Sequence, residues 1–255
     1  MNFYPRNSLA ITAVAFAVCA ASLLAIGGCD NSTTIDGVAR VSPESVKGKT
    51  AVRGTVKFLG TAPERKVLKN EPCHDGAPKT ILDETVVVSA DRGLMNVFVY
   101  IDNGPQVDGG PLPDAVLDQV DCRYVPHVVG VVVGQGLKVK SSDPAFHNTH
   151  YTPGRNASNN FGLLRAGHEK TVRFTAPEIF HVRCDVHPWM SAYIGVFDNP
   201  FFAATREDGS FELNNVPAGQ YMLVAWHEIY GELRRSIAVG DDGTIDVDFE
   251  YKPPS

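Results

Sequence analysis

Short runs of β-branched and aromatic residues recur along this chain, each bounded by Gly, Pro, Asn or Asp. They are "AVRGTVKFLG", "TVVVSA", "MNVFVYIDNG", "VVGVVVGQGLKVKSSD", "KTVRFTA", "FHVRC" and "AYIGVFD". Side chains stiff at the β-carbon fit a pleated, half-buried surface, and the bounding residues supply the turns between strands. No amphipathic helix of ten or more residues can be drawn, and "APEIF" has room for one turn at most. The pattern predicts an all-β fold built of sandwiches. A length of 255 residues, 44% of them hydrophobic and 20% charged, suits one large β domain or two smaller ones.

The first thirty residues follow other rules. After a polar start carrying only Arg6, "SLAITAVAFAVCAASLLAIGGCD" is apolar and uncharged until Asp30. This is the pattern of an export signal, with an uncleaved membrane anchor as the alternative. The ending "LAIGGC" resembles a bacterial lipobox. That resemblance implies cleavage after residue 28, lipid on Cys29, and a chain tethered to a membrane in the periplasm or elsewhere outside the cytoplasm. The polar stretch 29–50 reads as a flexible tether. Removing the leader takes one basic residue and no acid, leaving 22 basic against 29 acidic side chains and a net charge of −7. No basic tract remains to track a phosphate backbone, so nucleic acid is excluded as a partner class.

Cys29, Cys73, Cys122 and Cys184 remain after the leader. With lipid on Cys29 and a chemical task for Cys184, Cys73 and Cys122 are expected to form a disulfide in an oxidising compartment. Closing that loop would stabilise the fold by about 4 kcal/mol in the chain-entropy treatment. The alternative use is a second metal site of Cys73, His74, Cys122 and His127.

"FHVRCDVHPWMSAY" concentrates a thiol, an imidazole and a thioether at Cys184, His187 and Met190. One further nitrogen ligand from another strand would complete a copper set, because soft sulfur with imidazole suits both copper oxidation states. His147, in "SSDPAFHNTHY", is the candidate, placed at the end of the strand "GLKVKSSD". Zinc is the competing reading, with His147, His150, Cys184 and His187 as a tetrahedral set and Met190 merely packed. His168, His181 and His227 suit a polar turn, the outer face of a strand and the C-terminal meander.

H-N-x-H followed by C-x-x-H-P-aromatic-M resembles the cupredoxins, most of all those of the amicyanin and plastocyanin type. The resemblance implies a Greek-key β-sandwich over 105–200 and one type 1 copper held by His147, Cys184, His187 and Met190. It makes Met190 the axial ligand and leaves His150 out. Asn148 would pin the ligand loop, and Asp185, standing where the family often has a hydroxyl, changes the partner of that bond. His187 would be the electron port, rimmed by Pro188 and Trp189.

Beyond residue 200, "TREDGSFELNNVPAGQYML" resembles the carboxypeptidase regulatory-like, transthyretin-like fold. That implies a small β-sandwich over 201–255, without peptidase activity. "VRGTVKFLG" resembles the first strand of such a domain, so the 51–104 segment is expected to share it, with the middle of the chain inserted. No G-x-S-x-G, H-E-x-x-H or Walker-type loop is present. The expectation is therefore a non-enzymatic carrier of single electrons between redox proteins. The alternative is a copper-holding or zinc-stabilised lipoprotein that contacts a glycan or a protein through its C-terminal module.

Overall fold

The computed structural model describes residues 48–69, 71–105 and 112–253. The expected leader, Cys29 and the spacer up to residue 47 lie outside the described residues. The N-terminal segment carries β1 (Lys49–Phe58), β2 (Val67–Lys69), β3 (Ile81–Leu82) and β4 (Phe98–Asp102). The middle carries β5 (Ala115–Val120), β6 (Arg123–Val125), β7 (Val128–Val132), β8 (Gly136–Ser141), β9 (His147–Tyr151), β10 (Asn159–Leu163), β11 (Glu169–Arg173), β12 (Glu178–Arg183) and β13 (Ser191–Phe197). The last part adds β14 (Phe202–Ala204), β15 (Ser210–Val216), β16 (Gly219–His227), β17 (Gly231–Val239), β18 (Asp242–Asp246) and β19 (Phe249–Tyr251). No helix occurs among the described residues, and the fold is all-β.

Two sandwiches result. In the first, β1 pairs with β15, β18 and β19, while the second sheet runs β14-β4-β16-β17. Alternation along β1 sends Val52, Val56 and Phe58 inward, where they join Val99, Ile101, Leu223 and Ile237 in one core. This sandwich combines N-terminal and C-terminal strands, and the chain leaves it after β4 and returns at β14. The excursion forms the second sandwich, a five-stranded sheet β10-β9-β12-β13-β7 and a four-stranded sheet β11-β8-β5-β6. Leu117, Tyr124, Leu137, Val139, Val182 and Ile194 fill its core. Each such side chain contributes roughly 1.5–3 kcal/mol by leaving water.

An aromatic cluster around Phe98, Val128 and Phe197 joins the sandwiches. Gly130 and Gly195 face each other across the β7–β13 register. A β-carbon at Gly130 would fall 2.4 Å from the Phe202 ring, and one at Gly195 would fall 2.8 Å from that of Phe197. The two glycines thus let these rings stack at 4.5 Å between the modules. A buried hydrogen bond between His127 and Glu228 ties the same seam.

Two local expectations needed correction, and one strand went unforeseen. "TVVVSA" forms no strand, only a bridge from Val88 to Leu94, because the chain turns back through Ser89 and Arg92. His147 does not end the "GLKVKSSD" strand. Pro144 cannot donate to a ladder, the chain bends after Ser141, and His147 opens β9. Asn159–Leu163, whose polar composition hides it, is a full strand paired with β9.

Candidate metal centre

The structure brings three of the expected ligands together at one end of the five-stranded sheet. His147 opens β9, Cys184 directly follows β12, and His187 lies on the loop between β12 and β13. The ligating atoms of His147, Cys184 and His187 all lie within 4.8 Å of one another. The two Nδ1 atoms face each other at 2.9 Å, and Cys184 Sγ lies 3.8 Å from His187 Nδ1. Two backbone bonds close the loop, from Cys184 N to Met190 O at 3.2 Å and from Met190 N to His187 O at 2.9 Å. Met190 is fully buried in the same core cluster as Cys184.

His147 is held from behind. Its Nε2–H donates to Asp143 Oδ2 at 2.9 Å, which leaves the Nδ1 lone pair facing the cluster. Burial pushes both imidazoles below their usual value, and for His187 the neighbouring His147 adds to the effect. Both rings are therefore neutral donors at pH 7. Burial alone would raise the Asp143 carboxyl. Hydrogen bonds from the Cys122 amide, His147 and the Asp121 amide, together with the His74 contact, outweigh it and hold the group ionised below its usual range.

Asn148 joins the two strands that carry ligands. Its Oδ1 accepts from the Asp185 amide at 2.7 Å and from the Cys184 thiol at 3.2 Å. Its Nδ2 donates to Asp185 Oδ2 and to Asn160 Oδ1, both at 2.8 Å. Asp185 also accepts from Asn160 Nδ2, Arg183 Nε and His150 Nδ1. His150 first and then Arg183 hold its carboxyl well below the usual carboxylate range, so a negative charge stands beside the thiol.

His150 points to Asp185 at 2.9 Å and is not part of the clustered donor set. Trp189 donates from Nε1 to the Cys122 carbonyl at 3.1 Å, packs edge-on against His187, and lies under Lys69. Pro188 is exposed. The structure groups Cys73, His74 and Cys122 with their donor atoms within 4.8 Å of one another, but the two sulfurs are bonded as a disulfide, His74 contacts Asp143, and His127 lies outside the group, paired with Glu228. Sequence reasoning missed Asp143 and Asn160. Asp143 stands four residues before His147, a spacing with no meaning in a strand, and only the bend at Pro144 brings the two together.

No family model and no curated protein matches the chain. Among solved structures it is similar to a purple cupredoxin from Nitrosopumilus maritimus, at 19% identity over 32% of this chain and 99% of that one, with a TM-score of 0.29. A reduced mutant of amicyanin aligns at 20% identity over 38% of this chain and 97% of its own, with a TM-score of 0.31. A Cu-containing nitrite reductase from Thermus scotoductus aligns at 18% identity over 56% of this chain and 28% of its own, with a TM-score of 0.30.

Proposed function

We propose that the chain is a membrane-tethered, extracytoplasmic electron carrier in which His147, Cys184, His187 and Met190 hold one type 1 copper ion. The observation that carries this reading is the convergence of two neutral imidazoles and a buried thiol, with the far nitrogen of His147 already committed to Asp143. One thiolate, two imidazoles and a thioether form a soft, closed donor set suited to copper. Bound there, copper supplies a one-electron couple. His150 is spent on Asp185, which argues against a zinc set of one cysteine and three histidines.

The protein supplies a rigid site and one exit. His147 is fully buried while His187 is only partly so, which makes His187 the edge through which an electron leaves. Phe146, Leu164 and Val186 are exposed and adjoin along the chain His147, its strand partner Leu163 and His187, and they would offer apolar surface to a redox partner. The donor and acceptor would be redox proteins in the same compartment, reached by a chain lipidated at Cys29. The other sandwich, built from segments 51–104 and 201–255 and transthyretin-like by resemblance, would be a support for the copper domain and not a peptidase.

The test is a visible and electron paramagnetic resonance spectrum of the full chain in detergent, loaded with Cu(II). An intense thiolate-to-copper band with narrow hyperfine splitting is expected. A colourless protein that takes zinc in preference would overturn the proposal.

A further inference from the structure

Asp121 and Cys122, in the turn between β5 and β6, both have positive φ, at 54° and 55°. L side chains rarely adopt that conformation, and two in succession persist only where the surroundings fix them. Two restraints do so. The Asp143 carboxylate accepts both amides, Asp121 N on Oδ1 and Cys122 N on Oδ2, each at 2.8 Å, and Cys122 is bonded through sulfur to Cys73. Next to Cys73, His74 Nε2 lies 3.2 Å from Asp143 Oδ1, an ionic contact off the hydrogen-bond line.

Cys122 therefore touches both halves of the metal centre. Its amide holds the carboxylate that orients His147, and its carbonyl accepts from Trp189, on the loop that bears His187 and Met190. The segment that brings Cys73 and His74 here belongs to neither sandwich. It packs Cys73 and Ala77, between β2 and β3, and Ile81, which opens β3, onto the core that contains Cys184 and Met190.

We propose that the disulfide-locked turn Asp121–Cys122 is a positioning element of the metal centre, fixing His147 through Asp143 and the ligand loop through Trp189. This rests on the metal reading above but is testable without it. In the metal-free full chain, the His147 Nε2–H proton is observable by nitrogen-correlated nuclear magnetic resonance, and its exchange with solvent reports how firmly Asp143 holds the ring.

In Cys73→Ala/Cys122→Ala, exchange of that proton should quicken by about tenfold or more, the weight of one charge-assisted hydrogen bond. The Cu(II) spectrum of the same variant should shift. A folded double variant with both unchanged overturns the proposal. If the double variant loses its β signal in circular dichroism, Trp189→Phe keeps the disulfide and an aromatic ring beside His187 while removing the donor to Cys122. A shifted copper spectrum there supports the proposal, and an unchanged one overturns it. Should the parent protein bind no copper, the electron-carrier reading fails, and the proton exchange of the metal-free forms still decides the role of the turn.

Discussion

Asn148→Ala should loosen the metal centre more than any other substitution of a residue that is not a ligand. The side chain is 6% exposed and makes four hydrogen bonds, to the Asp185 amide, the Cys184 thiol, Asn160 and the Asp185 carboxylate. Neutral bonds contribute about 1 kcal/mol each and a charged one about 1.5–3 kcal/mol. Asp185 is exposed and keeps Asn160, Arg183 and His150, so its carboxylate bond adds nothing to the sum. The thiol bond is weak. A net loss of about 2 kcal/mol follows. For a chain of this size that lowers the thermal midpoint by roughly 4–8 °C. Circular dichroism melting of the metal-free protein reads the shift, and the thiolate-to-copper band of the loaded protein should move, because Asn148 also spaces Cys184 from β9. Asn160→Ala, which removes one part-buried neutral bond and one exposed bond, should cost no more than about 1 kcal/mol. Equal midpoints for Asn148→Ala and Asn160→Ala would refute the reasoning.

Other substitutions separate the roles around the site. Cys184→Ala should abolish copper binding, whereas His150→Ala should leave it within about twofold, since only a surface contact to Asp185 is lost; loss of metal on His150→Ala in a titration would restore the zinc set. Met190→Leu should retain copper and raise the reduction potential measured by voltammetry, because a weak donor to the oxidised ion is removed; release of the metal would make Met190 more than an axial ligand. His227, fully buried beside Tyr230, is pulled down from 6.5 to about 4, by burial first and then by the charge of His127. The folded state thus prefers neutral His227. Stability is complete above about pH 6.5 and falls by about 3 kcal/mol as the pH drops to about 4. Urea melts of His227→Phe should show a correspondingly shallower acid slope than the parent, and identical slopes would contradict the assignment.

The strands β1, β4, β7, β8, β11, β12 and β13 were legible because their apolar residues recur at the period of a pleated sheet. β10 was not, since "NNFGL" is half polar and owes its strand to pairing with β9. "TVVVSA" misled in the opposite sense: its valines pack on a core without joining a ladder. Local composition reports burial, and only pairing makes a strand.

The donor types and their spacing on the Cys184–Met190 loop are covalent facts, legible from the chain alone. The distance between that loop and His147 is not, because β9 and β12 meet in the sheet across more than thirty residues. Three things belong to the tertiary structure. It assigned His150 to Asp185, put Asp143 behind His147, and ran the disulfide turn to both halves of the site. The physical reason is the same in each case. A hydrogen bond acts over about 3 Å, and which groups come that close is set by strand pairing and chain bends.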